Sequence, residues 1–455
     1  MKFTKLSLVA ALLAGSAAFA VDNVKVSGDA NLFYMTSNQG DADLFDKDSS
    51  AADASLNLNI TADLAKNDMV TLSAGAGYTI LTTLGLENNL VSNVWGGAHT
   101  ATAGTGNNFA SGLGGAKVEN ASWMNELWIA ATAGKTTLKL GRMELDTPLA
   151  FTEKWSIEKN TFEGIAVINQ DIPDTTLVGA WVANGNGTET FGTGSNTVDV
   201  VPGAAVPTNN NMQSNVVTLG HAAGAVVNAN GDFATYGSDG AYAAGIINNS
   251  FKPLTVQAWY YNVSQIATAY WLQADLACQK IPGLLAGVQY TGLDIDSTSD
   301  KIHNDGSTAA AKVDSDALAV MLGYEMKDMA TIKVSYSQIG KDHSAGQNTA
   351  TDFVGGTAQS KLYTEAWWNY GYITQQDTDS YNVTIESPVN GLFDLGIYYT
   401  EADQSTAAGD NDLSEVTVTA AKSYGPADIT VAYINAKTGN LKRHSVAQAY
   451  LTLNF

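Results

Sequence analysis

The stretch Asp53-Ala54-Ser55-Leu56-Asn57-Leu58-Asn59-Ile60-Thr61-Ala62-Asp63-Leu64 sets Leu56, Leu58, Ile60, Ala62 and Leu64 against Asn57, Asn59, Thr61 and Asp63. A period of two is the side-chain repeat of an extended strand, so the two sets lie on opposite faces of a sheet. Val24, Val26, Ala30 and Leu32 alternate in the same way with Lys25, Ser27, Asp29 and Asn31. Phe393, Leu395, Ile397 and Tyr399 do so with Asp394, Gly396 and Thr400. The last segment sets Ala447, Ala449, Leu451, Leu453 and Phe455 against Gln448, Tyr450, Thr452 and Asn454. Such segments run for about 9 to 13 residues, longer than the usual soluble strand and near the length of a tilted membrane strand. Aromatics gather near segment ends, among them Phe33, Tyr34, Trp123, Trp259, Tyr260, Tyr270, Trp271, Tyr290, Tyr336, Tyr398 and Tyr424, where interfacial girdles are expected. The reading is all-β: a transmembrane antiparallel barrel with apolar residues toward lipid and polar residues toward a lumen.

Turn chemistry gives the strand number. Short connections rich in Pro, Gly, Asn and Asp occur at Ala65-Lys66-Asn67-Asp68, Gly134-Lys135, Asp171-Ile172-Pro173-Asp174 and Phe251-Lys252-Pro253. Four more follow at Lys280-Ile281-Pro282-Gly283, Lys327-Asp328, Pro388-Val389-Asn390-Gly391 and Gly425-Pro426. Eight short turns with both termini on one side predict about 18 strands. The segment Lys361 to Ile373 looks like a strand, but counting it makes the total odd, so it is assigned to a long seventh loop. Other long loops run from Leu81 to Asn120 and from Gly185 to about Asp239.

Composition sets the compartment and the partners. The chain has 455 residues, 45 acidic and 23 basic, and one cysteine. One cysteine excludes a disulfide framework, and the acid excess argues against nucleic acid. Lys2 and Lys5, the apolar run from Leu6 to Phe19 and Ala18-Phe19-Ala20 read as a secretory signal over residues 1–20, leaving 21–455 as the barrel. The predicted location is the outer membrane of a Gram-negative bacterium, in contact with its lipid. A final strand ending in Phe455 fits recognition by the barrel-assembly machinery.

Leu140-Gly141-Arg142-Met143-Glu144-Leu145-Asp146-Thr147-Pro148-Leu149, then Trp155 and Asn160-Thr161-Phe162-Glu163-Gly164, resemble the third-loop region of the OprD-type and Campylobacter-type major outer-membrane porins. The resemblance implies an 18-stranded general porin, usually trimeric, whose third loop folds inward as the constriction. The chain departs from it in having only two arginines, Arg142 and Arg443, so a dense arginine ladder is absent.

The candidate loop carries Glu144, Asp146, Glu153 and Glu158 against Lys154 and Lys159. By parity, strand faces add Asp29, Asp63, Asp316, Glu386, Asp394 and Glu415 to the lumen, against Lys25, Lys139 and Lys333. Carboxylates in a narrow wet pore concentrate cations, so the expected function is a passive, cation-preferring pore for ions and small hydrophilic solutes. Arg142 has two readings: a basic pole facing the loop acids, or, by parity with Leu138 and Leu140, a residue pointing to lipid unless Gly141 marks a bulge. No cofactor is expected. Asp294-Ile295-Asp296-Ser297-Thr298-Ser299-Asp300 lacks the glycine and bidentate Glu of an EF-hand, leaving weak Ca²⁺ bridging by acidic loops as the most it offers. The five histidines show no ligand spacing, and none lies well within a polar strand face, which argues against a barrel enzyme. A substrate-selective channel and an adhesive barrel with surface-binding loops are the alternatives.

Overall fold

The computed structural model describes residues 21–40, 43–82, 84, 86, 91, 93–94, 122–154, 157–187, 190–192, 217–220, 233–236, 240–263, 267–295, 302–303, 313–351, 358–405 and 411–455. The expected signal segment 1–20, Trp155 and most of the second and fourth loops lie outside them, as does Asp296 to Asp300.

Eighteen strands form the wall. They are β1 (Asp22–Ser37), β2 (Ser50–Lys66), β3 (Thr71–Leu81), β4 (Ser122–Ala133), β5 (Thr136–Met143) and β6 (Phe162–Asn169). Next come β7 (Thr175–Gly185), β8 (Ala241–Asn248), β9 (Leu254–Val263), β10 (Ala267–Ala277), β11 (Leu284–Ile295) and β12 (Val313–Met326). The last are β13 (Ala330–Ile339), β14 (Thr378–Val389), β15 (Phe393–Gln404), β16 (Leu413–Tyr424), β17 (Ala427–Thr438) and β18 (His444–Asn454). Each pairs antiparallel with its neighbours in sequence, and β18 returns to β1 with Asn31 opposite Thr452 and Leu32 opposite Leu451. Gly28 and Phe455 exchange two backbone hydrogen bonds of 2.9 Å at this seam. Closure leaves no strand edge facing lipid with unsatisfied backbone groups.

All eight short turns form where Pro, Gly, Asn and Asp cluster, with positive φ at Gly134, Asp174, Gly283, Asp328, Asn390, Gly391 and Gly425. Pro388 itself belongs to the end of β14. Lys361 to Ile373 lies in the seventh loop, residues 340–377, as the strand count required.

The outer face is apolar and exposed, as at Leu58, Ile129, Leu322, Val334 and Val431. The inner face divides into two halves. Toward the short turns it carries charged residues such as Asp29, Asp63, Lys333, Glu386 and Asp394. Toward the long loops it carries Phe33, Met35, Trp123, Trp259, Trp271, Ile339, Leu413 and Ile434, all buried. Phe33, Trp123, Trp259, Trp271 and Tyr398 therefore do not belong to the interfacial girdle. They sit on the inner face, where their rings pack against loops or line the lumen, whereas Tyr34, Tyr260, Tyr270, Tyr290, Tyr336 and Tyr424 lie on the outer face, as the registers place them. Near a strand end, one step of parity decides between bilayer and interior.

Candidate functional site: two loops against the inner wall

The third loop, residues 144–161, folds onto itself through bridges between Asp146 and Phe151 and between Lys154 and Lys159. It is held to the wall at several points. Leu149 N–H donates to Tyr261 Oη on β9 (3.3 Å), and Thr161 Oγ1 donates to the Asn125 carbonyl on β4 (2.7 Å). The Glu158 carboxyl, 2 % exposed, is seated against Ser55 and Asn57 on β2. Ile157 packs with Phe33, Met35 and Trp123. The apolar half of the inner face is thus the seat of the loop.

The seventh loop packs against the third. Asn348 Nδ2 donates to Glu153 Oε1 and to the Phe151 carbonyl (each 2.8 Å), while its Oδ1 accepts the Phe151 N–H (3.1 Å). Thr351 Oγ1 also donates to Glu153 Oε1 (2.5 Å), and Thr349 N–H donates to the Leu149 carbonyl (2.9 Å). Glu153 is fully buried by these contacts. At the surface of the clasp Lys361 pairs with Asp146, its Nζ lying 4.9 Å from the centre of the Phe151 ring. Farther along, Tyr363 Oη donates to Asp275 on β10 and its ring fills the notch over Gly287, where a Cβ would come within 2.3 Å of Oη. Trp368 N–H (3.1 Å), Asn369 N–H (2.9 Å) and Asn369 Nδ2 (2.6 Å) all donate to the Glu415 carboxylate on β16.

Of the charged residues singled out in the third loop, Glu144, Asp146, Lys154 and Lys159 reach accessible space, with Lys159 Nζ 2.5 Å from Glu144 Oε1. Glu153 and Glu158 do not line the opening; they are buried where the loop meets the seventh loop and β2. A buried carboxylate is retained when hydrogen-bond donors surround it, and for Glu153 those donors, Asn348 and Thr351, come from the loop it joins.

On the strands, Asp29, Asp63, Glu386 and Asp394 fall on the inner face, as do Lys25, Lys139 and Lys333. Lys139 Nζ lies 3.9 Å from Glu126 and 4.3 Å from the Trp128 ring centre. Glu415 is also inward, but at 1 % exposed it anchors the seventh loop rather than the water path. Asp316 points the other way: Ser315, Ala317 and Ala319 are the buried inner residues of β12, while Asp316 shares the outer face with Leu318 and Val320 and accepts a bond from Tyr290 Oη (3.2 Å). Parity also decides Arg142. Gly141 takes a φ of 126°, yet the pairing of β4 and β5 continues unbroken, placing Arg142 opposite exposed Leu127. Its Nε donates to Glu163 Oε1 (2.5 Å) and its guanidinium covers the Phe233 ring, so it is no basic pole of the opening. Sequence reasoning missed Lys361, Asn348, Glu126 and Asp275; only Asp275 and Glu126, on polar strand faces, had a parity signal.

Burial pushes the Glu158 carboxyl up to about 7 against the opposing pull of the Ser55 bond and of Lys154. Desolvation by the surrounding loop and wall lowers the Lys154 ammonium, although its side chain reaches accessible space, despite attraction from Asp29 and Glu158. Burial acts in the same sense on Lys159, but the bond and charge of Glu144 outweigh it and hold that ammonium above its ordinary value. Glu365, half-buried and accepting bonds from Ser360, is raised well above the usual carboxylate range by desolvation.

Residues 1–445 match the family model described as Campylobacter major outer membrane protein. Comparison with curated proteins gives no match. Among solved structures the chain is similar to Pseudomonas aeruginosa OccK8 (OprE), with a TM-score of 0.66 at 15 % identity over 95 % of this chain and 98 % of that one. It is similar to OccK9 (OpdG) of the same organism, with a TM-score of 0.67 at 12 % identity, again over 95 % and 98 %. OpdK from that organism, solved with vanillate, gives 0.63 at 13 % identity over 95 % and 99 %. These likenesses show the shared barrel fold.

Proposed function

The chain belongs to the Campylobacter major outer membrane protein family, and from that premise we propose that its outer-membrane barrel is a passive, water-filled pore that prefers cations among ions and small hydrophilic solutes. The clasp of third and seventh loops is its narrowest part, with Glu144, Asp146, Lys154, Lys159 and Lys361 at the opening. The observation that carries the preference is an imbalance of charge. Lysines at the clasp stand beside carboxylates, Lys159 with Glu144 and Lys361 with Asp146. Toward the short turns Glu325, Asp328, Glu386 and Asp394 line one recess with no Lys or Arg among its described residues. A water-filled passage with low-dielectric walls and net negative charge raises the local concentration of cations.

The test is the reversal potential of the purified protein in a planar bilayer under a salt gradient. Cation preference is the expected result. No conductance would remove the pore reading, and anion preference would remove the charge argument. A substrate-selective channel is favoured by one observation, the extent of the clasp, because a long narrow contact imposes shape on what passes. It predicts saturable flux for one solute class, where simple diffusion predicts flux linear in concentration.

A further inference from the structure

Beneath the seventh loop, toward the short turns, the inner wall holds a recess of about 540 Å³ between the Trp367 side chain and strands β12 to β17. That is within the range of small-molecule sites. Trp367 and Tyr398 stack on its side, with ring centres 5.3 Å apart and planes inclined by 27°. Tyr398 Oη donates to Glu386 Oε1 (3.3 Å), tying that carboxylate to the edge of the aromatic pair. Gly396 makes the arrangement possible: a Cβ there would come within 2.6 Å of the Tyr398 ring. Asp394 and Glu325 contribute further carboxylates, while Lys333 lies two positions along β13 from Thr331 and outside the lining.

We propose that this recess is a binding station for organic monocations that join a flat apolar body to an ammonium head, such as aromatic amines. Indole and phenol faces attract a cation and stack with a ring, and the adjoining carboxylates favour the same charge while repelling anions of the same shape. Inorganic cations gain only from the carboxylates. The station deepens the pore reading and rests on it, because solutes reach the recess only through the lumen.

The probe is phenethylammonium, added to either side of single channels in a planar bilayer. We expect concentration-dependent block, stronger from the short-turn side, with ethylammonium (no ring) and phenylacetate (no positive charge) markedly weaker. Trp367→Ala should raise the half-blocking concentration by about threefold to tenfold, the weight of one cation–π contact, and Trp367→Phe should restore most of it. Glu386→Gln with Asp394→Asn should weaken block by phenethylammonium more than Trp367→Phe does. Equal block by ethylammonium, or unchanged block in both Trp367→Ala and the carboxamide pair at wild-type conductance, would overturn the station while leaving the pore intact. Absence of conductance in the wild-type protein would instead fail the pore itself.

Discussion

Beside the third loop, on β1, β2, β4 and β5, lysines and carboxylates interleave: Lys139 with Glu126, Lys159 with Glu144, and Lys154 facing Asp29 and Glu158. Across the lumen, beneath the seventh loop, Glu325, Glu386 and Asp394 stand with Lys333 as the inward base of the same strands. Both walls are acidic, yet their charges do different work. On the first wall charge is spent locally, holding a loop in shape. On the second the carboxylates line the recess beneath Trp367. An acid count therefore says less about selectivity than what stands within bonding distance of each acid.

The largest expected effect comes from unfastening the loops. Glu415→Ala removes the acceptor for Trp368 N–H, Asn369 N–H and Asn369 Nδ2. Charge-assisted bonds of this kind contribute about 1.5 to 3 kcal/mol each, and their loss should free the seventh loop and widen the pore. Single-channel recordings should show higher, noisier conductance, and protease should cut within residues 340–377 of an otherwise folded barrel. Conductance equal to wild type would mean that this loop does not set the bore.

The contrast between walls is read next by reversal potentials. Glu386→Gln with Asp394→Asn should lower the cation-to-anion permeability ratio by about threefold, whereas Glu144→Gln with Lys159→Gln, which removes a matched pair, should leave it nearly unchanged. If the matched pair has the larger effect, the assignment of the two walls is reversed.

A smaller effect is expected with pH. Glu158 is more readily protonated in its buried seat than in the unfolded chain, so its contribution to loop seating is complete below about 4.5 and fades as pH rises through about 7. The groups facing it are Lys154 and Asp29. Open-channel noise should rise between about pH 6 and pH 8, and Glu158→Gln should flatten that rise. A pH dependence identical in the variant would assign it elsewhere.

The smallest effects belong to the residues that face outward. Asp316→Asn and Arg142→Gln should leave the reversal potential unchanged, with Arg142→Gln costing about 1 kcal/mol of stability through the lost Glu163 pair. A shift in selectivity from either variant would contradict the observed strand parity.

Much of the barrel was legible because its two signals are local. Alternation from Leu56 to Leu64 fixes a face, and Gly134-Lys135 or Gly425-Pro426 fixes a reversal. Counting alone then assigned Lys361 to Ile373 to a loop despite its strand-like composition. The clasp was not legible in this way, since Lys361 and Asp146 lie 215 residues apart and neither carries a local mark of the other. Nor did composition distinguish acids that line water from acids that fasten loops: Glu144 and Glu153 share one short segment, and only the arrival of Asn348 and Thr351 separates their roles. Trp259 and Trp271 misled for a related reason, because an indole near a strand end suits a lipid interface as well as a docking face.

The seam between the first and last strands has a consequence for how the molecule comes into being. Gly28 finds its partner only in Phe455, so the opening segment must wait, unpaired on one side, until translation and export have delivered the closing one. A half-inserted wall would expose two raw margins to hydrocarbon, which the bilayer penalises heavily. Insertion must therefore be chaperoned or nearly concerted, and a break anywhere in the hoop endangers the whole of it.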